Sequence, residues 1–158
     1  MKLLKIKIVV IISLLFCLTS YTSVLAQCGS CWGQNSNYGK LFNPQTLKTL
    51  TGTVVAVERI MPNKNMSYGL HLKVKTEDAD ETISVHLGPT WYLDNQEIQF
   101  STGNKITVKG SEVSYNNEPA IIATEVKRND YTLTLRNDTG YPVWSGWRKK
   151  GMRKGSNR

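Results

Sequence analysis

The feature that most constrains the fold is the strict alternation of apolar and polar residues in two neighbouring segments. Every second side chain is apolar between Tyr68 and Lys75, and the pattern repeats between Thr82 and Leu87. Alternation with a period of two is typical of a strand that has one face on a core. The short polar connection between the segments predicts an antiparallel hairpin. His71 and His86 have the polar parity, so we expect both on its outer face.

Further segments rich in β-branched residues extend this pattern. The segment Leu47 to Arg59 is apolar on both parities and contains Gly52, which predicts a strand that bends and serves two sheets. Pro89 precedes helical spacing, so we expect a short helix from Thr90 to Ile98. An Asn116-Asn117 pair predicts a tight hairpin turn. The other predicted strands are Lys105 to Val113, Ala120 to Lys127 and Tyr131 to Arg136.

This order of elements predicts the fold class. Five strands, with a bent first strand and a short helix between the third and fourth, are the order of an OB-fold barrel. We therefore predict an all-β protein, a five- to six-stranded OB-fold barrel with one short helix between strands 3 and 4. Residues 47–147 would form this single domain, a size that can bury one core.

The N-terminus has the three parts of an export signal. Three lysines in the first seven residues precede an apolar run over residues 8–17 and a small-residue cleavage site that ends at Ala26. We predict that residues 1–26 are a signal peptide and that the mature chain is periplasmic or secreted. The apolar run is shorter than the roughly 20 residues that span a bilayer, so we expect no transmembrane segment in the mature chain. Gln27 stands where a lipoprotein signal has a small residue, which argues against a lipid anchor on Cys28.

The formal net charge of +8 is unevenly distributed. Three of the 20 basic residues lie in the signal and six in the last eleven residues, which leaves 11 between Gln27 and Trp147, against 12 acidic residues. The folded body therefore has no excess of basic residues, and nucleic-acid binding is not favoured. We predict that residues 148–158 form a basic disordered tail that binds polyanions without specificity, if at all. The residues expected to make such contacts are Arg148, Lys149, Lys150, Arg153 and Lys154.

Residues 27–46 are rich in Gly, Asn, Ser and Gln and predict an irregular segment, here called the lead-in. Its Cys28-Gly29-Ser30-Cys31-Trp32 string is similar to the surroundings of the papain-type nucleophile, but no histidine follows at the required spacing of roughly 130 to 150 residues. Trp32 stands where haem attachment needs a histidine. Residues 33–39 are poor helix formers, unlike those after a thioredoxin-type redox pair. We predict a Cys28–Cys31 disulfide worth roughly 2 kcal/mol, with a metal half-site as the alternative.

His71 and His86 are predicted to face each other across the hairpin, because symmetry about residues 78 and 79 places them directly opposite. Opposed side chains have Cβ atoms about 5 Å apart, so both imidazoles would reach one transition metal ion or a haem. Cys28 and Cys31, or carboxylates, would have to complete such a site. The alternative is that both are surface histidines on a solvated sheet.

Aromatic side chains are candidates for stacking on bases or sugar rings. Those proposed for this role are Trp91, Tyr92 and Trp144. The alternative is that these aromatics, together with Tyr115 and Trp147, plug the ends of a small barrel. No nucleophile, base and orienting group fall together on this topology, so we do not expect an enzyme.

Several short motifs together resemble a known family. They are Asn43-Pro44, Thr51-Gly52-Thr53-Val54-Val55, Met66-Ser67-Tyr68-Gly69-Leu70-His71-Leu72, Val85-His86-Leu87-Gly88-Pro89, Trp91-Tyr92, Val108-Lys109-Gly110-Ser111 and Pro142-Val143-Trp144. In these motifs the chain is similar to small exported bacterial OB-fold proteins of uncharacterised function, some of them similar to magnetosome-associated proteins and others bearing a DNA-binding label. The resemblance covers about Phe42 to Trp147. It implies the OB-fold and export, and it supplies no reaction, ligand or catalytic residue.

These observations predict an exported, non-catalytic OB-fold module that binds another envelope protein or a small ligand. The alternative is an accessory protein linked to a metal, a haem or redox chemistry, which would use the histidine pair and the two cysteines. The second alternative is a nucleic-acid or polyanion binder that acts through the basic tail and surface aromatics.

Overall fold

The computed structural model describes residues 31–64, 66–79 and 81–146. The predicted signal peptide, Cys28, Trp147 and the predicted tail at residues 148–158 lie outside the described residues, so the expectations that concern them stay predictions. None of the described helices has the length and apolar character needed to cross a membrane.

Six strands of the described residues form one sheet, and the first five of them close into a barrel. They are β1 Leu47–Ile60, β2 Gly69–Thr76, β3 Thr82–Pro89, β4 Lys105–Tyr115, β5 Glu118–Arg128 and β6 Tyr131–Thr134. β1 pairs with β2 and β4, β2 also pairs with β3, and β4 also pairs with β5, all antiparallel. β3 and β5 pair in parallel and complete the circuit. The closed circuit is that of an OB-fold barrel, and it confirms the predicted fold class.

The first half of β1 pairs with β4 and its second half pairs with β2, along opposite edges of the strand. Gly52 lies at the crossover, opposite Thr76 of β2 and Ile106 of β4. A Cβ at this position would overlap the carbonyl oxygen of Lys75, so the close approach of β2 requires glycine. A register shift between Val54 and Ala56 adds a local irregularity of the kind that bends strands.

The helix α1, Thr90–Leu93, is shorter than the predicted Thr90 to Ile98. Asp94 N–H donates to the carbonyl of Thr90 in the helical pattern, but the N–H groups of Asn95 and Gln96 reach back only three residues. The side-chain amides of Asn95 and Gln96 also donate to carbonyls one turn earlier. Side-chain amides that bond backbone groups in this way compete with the helix, which explains its early end.

Two other element boundaries follow from local geometry. Asn116 and Asn117 have φ values of 52° and 65°, which confirms the predicted tight turn between β4 and β5. β6 ends at Thr134 rather than at the predicted Arg136, because the N–H groups of Leu135 and Arg136 both donate to the carbonyl of Thr124. These two hydrogen bonds to one carbonyl oxygen interrupt the regular hydrogen-bond pattern of the strand.

The barrel interior is filled by the apolar parity of the strands. Its fully buried members include Val54, Leu72, Val74, Val85, Leu87, Val108, Ile121 and Val126. Burial of each such side chain is worth about 1.5 to 3 kcal/mol relative to exposure. The lead-in contributes two short 3₁₀ turns, Gly39–Leu41 and Pro44–Thr46, and packs Trp32 and Tyr38 against the same core cluster.

Candidate ligand site

His71 and His86 face each other across β2 and β3, as the symmetry of the hairpin predicts. They are Cα partners in the register, next to the pairs Leu72 with Val85 and Lys73 with Ser84. Their imidazole rings are stacked, with 3.8 Å between the ring centres and 14° between the ring planes. The cross-strand pairing is therefore confirmed.

The expectation that these histidines are surface residues on a solvated sheet is wrong, since each is only 1% exposed. Their parity is as predicted, because the adjacent Leu72 and Val85 point into the barrel. The outer face of the hairpin is itself covered. The Tyr38 ring lies nearly parallel to His86 at 6.0 Å, and the Tyr115 ring meets His86 edge-on at 4.8 Å.

The lead-in is fastened across this face by bonds at several points. Trp32 Nε1 donates to Ser67 Oγ at 3.0 Å, and Trp144 Nε1 donates to the carbonyl of Trp32 at 3.1 Å. A side chain at Gly69 would overlap the Trp32 ring, so glycine at the start of β2 allows the lead-in to approach. OB-folds hold their ligands on the face of strands 2 and 3, and here the lead-in covers part of that face.

A cavity of about 140 Å³ remains on the same face, beside the β4–β5 hairpin turn. Its wall includes His71, His86, Lys73, Ser84, Tyr115 and Glu118. Since a water molecule occupies about 30 Å³ in the liquid, this volume corresponds to about four or five water-sized groups.

The ring nitrogens of the pair differ in their hydrogen bonding. His86 Nδ1 lies 2.8 Å from the hydroxyl oxygen of Tyr38. The Nε2 atoms of both His71 and His86 are buried and have no hydrogen-bond partner among the residues that the structure describes. A buried polar atom without a partner costs about 1 to 3 kcal/mol, so two such atoms in one pair of side chains are a marked departure from ordinary packing.

Both imidazoles are neutral at pH 7. Burial, assisted by the charge of Lys73, lowers the pKa of His71 to about 4. The pKa of His86 is lowered to about 2, mainly by burial. Electrostatic interactions with His71, Arg136 and Lys73 contribute in that order. Burial raises the pKa of Tyr38 well above its usual value, so its hydroxyl stays protonated.

Arg136 brings positive charge close to the pair from beneath the lead-in. Its Nη1 donates to the carbonyls of Leu87 and Ala123 at 2.9 and 2.6 Å. The guanidinium lies 4.7 Å from the ring centre of Trp144, a cation–π contact. Burial lowers the pKa of Arg136 to about 10, which leaves it charged at pH 7.

The predicted metal or haem site would need both imidazoles on one ion. Zinc binds imidazole nitrogen at about 2.0 to 2.1 Å in the plane of the ring. Since the ring planes are nearly parallel and 3.8 Å separates the ring centres, one ion cannot lie in both planes unless a ring rotates. Within residues 31–64, 66–79 and 81–146, no group of three or more His, Cys, Asp or Glu side chains is placed to hold a metal ion.

Cys31 is not brought to the histidine pair. It lies beside a separate depression with Asn63 and Met66, which shares no lining residue with the histidine cavity. Cys28 lies outside the described residues, so the predicted disulfide stays a prediction.

The three aromatics proposed for stacking are mostly covered. Tyr92 and Trp144 are 8% and 3% exposed, and both belong to the core cluster, while Trp91 is half-buried against it. The rings that pack against His86 are instead those of Tyr38 and Tyr115, and Tyr115 also lines the histidine cavity. Tyr115 directly precedes the predicted Asn turn, a position that offers a weak signal, whereas nothing near Tyr38 in the sequence indicates its contact with His86.

One protein-family model matches most of the barrel. The model of the MamS/MamX magnetosome protein family matches residues 46–133, which is more than half of the chain. This chain belongs to the MamS/MamX family. The match confirms the resemblance to magnetosome-associated proteins. It includes the histidine pair and the whole β1–β5 circuit, but it begins after Tyr38 and ends before Arg136.

Two solved structures are similar over part of the chain, and both are distant in sequence. The N-terminal domain of PriB from Thermoanaerobacter tencongensis is 12% identical, with a TM-score of 0.43, and the similarity covers 55% of this chain and 99% of that domain. A chain of the Stn1-Ten1 complex from S. pombe is 18% identical, with a TM-score of 0.42, and the similarity covers 72% of this chain and 81% of that one. No curated protein matches the sequence.

Proposed function

We propose that this chain is an exported, non-catalytic OB-fold module that binds a small ligand in the cavity beside His71 and His86. The observation that carries the proposal is a cavity of about 140 Å³ whose wall includes polar side chains of three strands, among them Lys73, Ser84 and Glu118. Ligand sites are concave and combine apolar walls with a few polar groups that orient the ligand. The cavity also lies on the face where OB-folds hold their ligands.

The size of the cavity favours a small ligand over a nucleic-acid strand. Trp32 and Tyr38 occupy the part of the β2–β3 face on which bases would stack, and both are buried. A strand of nucleic acid would have to displace the lead-in and break the bonds of Trp32 to Ser67 and Trp144. A small ligand needs no such displacement, and it is also a more specific proposal than an envelope protein partner.

Export and the disulfide are parts of the same proposal. The signal at residues 1–26 would deliver the chain to an oxidising compartment, where Cys28 and Cys31 would pair. Cys31 is half-buried against the core cluster, directly before Trp32. A disulfide at this point would restrict the start of the lead-in where it first meets the barrel.

Native mass spectrometry of protein purified from its export compartment tests the proposal. We expect a mature mass that starts at Gln27 and is two hydrogens lighter than the dithiol form, with a non-covalent adduct lost on denaturation. Ser84→Leu places an apolar side chain at the cavity wall and should abolish the adduct. Thr82→Leu is the matched control, because Thr82 has the same parity on β3 but is exposed and does not line the cavity.

Two results would contradict the proposal. Wild-type protein with no adduct, or an adduct that survives Ser84→Leu, would exclude the histidine cavity as the site of a retained ligand. Loss of the adduct in both variants would indicate a general effect on β3 rather than occupation of the cavity.

A further inference from the structure

Two further cavities border the lead-in. One, of about 440 Å³, lies between the lead-in and the segment that begins at Tyr141. The other, of about 320 Å³, lies between the lead-in and the loop that joins β1 to β2. Asn35 and Ser36 belong to both walls, so the cavities adjoin there, and together they are here called the lead-in groove. Among the described residues, the groove shares no wall with the histidine cavity.

The groove presents side-chain amides that the fold does not use. Asn35, Asn37 and Asn63 are exposed, and their side chains make no hydrogen bond within the part of the chain that the structure describes. Asn35 lines both cavities, and the other two line the smaller one. Each amide offers two N–H donors and one carbonyl acceptor, which suits hydroxyl groups because a hydroxyl both donates and accepts.

The backbone that carries these amides is fixed before any ligand binds. Ser36 Oγ donates to the carbonyl of Gly33 at 2.7 Å and accepts from the N–H of Gly39 at 2.9 Å. A Cβ at Gly39 would overlap the carbonyl oxygen of Gly33, so this close approach requires glycine. Gln34 Nε2 donates to the carbonyl of Thr139 at 2.7 Å, which ties the lead-in to the chain just before the opposite wall. A site that is already ordered loses less entropy on binding.

The composition of the walls favours an uncharged ligand. Within the described residues, no charged side chain lines either cavity, and the exposed Lys40 and Lys64 stand outside both walls. Tyr141, which is 50% exposed, adds an aromatic ring. The aliphatic side chain in the described walls, Met66, is only 7% exposed, so the groove offers no apolar pocket for the side chains of a peptide.

We infer that the lead-in groove binds a neutral saccharide, with the amides of Asn35, Asn37 and Asn63 as hydrogen-bond partners and the Tyr141 ring as a stacking surface. A sugar combines hydroxyl groups with an apolar C–H face that can lie on an aromatic ring. Both cavities have volumes in the range of ligand sites, which is about 300 to 1,000 Å³. This inference goes beyond the proposed function, because it concerns a second site with other residues.

The test is NMR of the ¹⁵N-labelled mature chain, residues 27–158. Chitotriose and cellotriose have the same linkage and differ in the acetamido group, so the tighter of the two identifies the preferred kind of sugar. We expect at least one of them to shift the side-chain amide resonances of Asn35, Asn37 and Asn63 to saturation. Glycerol, which has hydroxyl groups but no ring, should leave these resonances unchanged.

One pair of variants tests the amides. Asn35→Ala should weaken sugar binding about five-fold, as expected for the loss of a hydrogen bond. Gln45→Ala is the matched control, because Gln45 is an exposed amide of the lead-in that lines neither cavity, and it should weaken binding less than about two-fold. Equal weakening in the two variants would overturn the inference.

A second set of variants tests the aromatic ring. Tyr141→Ala should weaken binding about five-fold, whereas Tyr141→Phe keeps the ring and should bind within about two-fold of the wild type. Tyr68→Ala is the control, because Tyr68 is 53% exposed and lies outside both walls. A loss of affinity in Tyr68→Ala as large as that in Tyr141→Ala would contradict a stacking role for Tyr141.

The remaining outcomes concern the ligand class and the site. Absence of a saturable response to both sugars would overturn the inference, and so would tighter binding of glucuronate than of glucose. Ser84→Leu, which alters the histidine cavity, should bind the sugar like the wild type. Loss of sugar binding in Ser84→Leu would move the sugar to the histidine cavity, which contradicts this inference while the proposed function stands.

Discussion

The two faces of the β2–β3 hairpin are buried to nearly the same degree by different means. On the inner face, Leu72 and Val85 are 0% exposed and pack against strands of the same barrel. On the outer face, His71 and His86 are 1% exposed and are covered by the lead-in and by Tyr115. The inner face is apolar and the outer face is polar.

Burial therefore has opposite consequences for stability on the two faces. On the inner face, the removal of apolar surface from water stabilises the barrel. On the outer face, burial removes two imidazoles from water, and both Nε2 atoms lack a hydrogen-bond partner within the described part of the chain, which costs stability. A polar layer that is buried but unsatisfied is a feature of binding sites more than of structural cores.

The largest expected difference between the two faces is the destabilisation of the outer face by acid. Both histidines have a lower pKa in the folded protein than the unfolded value of 6.5, about 4 for His71 and about 2 for His86. Below pH 6.5 the unfolded chain therefore binds more protons than the folded chain. Stability is fully present above pH 6.5 and falls as the pH drops towards these values, by up to about 1.4 kcal/mol per pH unit for each histidine.

Urea unfolding at pH 7 and pH 4.5 measures this effect. The wild type should lose on the order of 5 kcal/mol more than the double variant His71→Phe/His86→Phe, which cannot titrate at these positions. The carboxylates are common to both proteins, so the difference isolates the pair. An equal loss in both proteins would show that the histidines are not buried as neutral groups.

The second-largest expected effect concerns the lead-in, which covers the outer face and which we expect to detach while the barrel stays folded. Trp32→Ala should cost about 3 to 5 kcal/mol and expose the histidines, because Trp32 is 3% exposed and bonds Ser67 and Trp144. Leu72→Ala on the inner face should cost about 2 to 5 kcal/mol without uncovering the outer face.

The readout is the rate at which diethyl pyrocarbonate modifies the histidines of folded protein. We expect a rise in Trp32→Ala and no rise in Leu72→Ala at matched fractions folded. Fast modification of the wild type would show instead that the lead-in does not cover the pair in solution.

The smallest effect concerns a single hydrogen bond. Tyr38→Phe removes the partner of His86 Nδ1 and should cost about 1 to 2 kcal/mol, measured by urea unfolding at pH 7. It should also let His86 populate both tautomers. Tyr141→Phe is the control, because the Tyr141 side chain is 50% exposed, and it should change stability by less than about 0.5 kcal/mol. An equal loss of unfolding free energy in the two variants would show that the hydrogen bond between Tyr38 and His86 does not stabilise the fold.

Much of the barrel could be predicted from local pattern. Alternation located β2 and β3 within a residue or two, and hairpin symmetry placed His71 opposite His86. The turn at Asn116 and Asn117 followed from the tolerance of asparagine for positive φ. The helix was predicted too long because the hydrogen bonds of the Asn95 and Gln96 side chains with the backbone outweigh apolar spacing over a short segment.

The candidate site was predicted only in part. The histidine pair was found, but Arg136 was not singled out, and Tyr38 was placed in a segment without regular structure. Arg136 is charged yet buried, and only the surrounding carbonyls and the Trp144 ring make that arrangement stable. Pattern reasoning assigns such a residue to the surface.

Side-chain alternation and turn chemistry act over a few residues, so the sequence alone was enough to locate the strands of the hairpin and the register that pairs the two histidines. The order and closure of the strands were predicted from the match of the element order to an OB-fold. The burial of the outer face became evident only from the packing of distant segments. Tyr38 and His86 lie 48 residues apart, and their contact depends on Trp32, Gly69 and Trp144 meeting across the barrel. A contact between such distant segments is encoded in packing rather than in any local pattern.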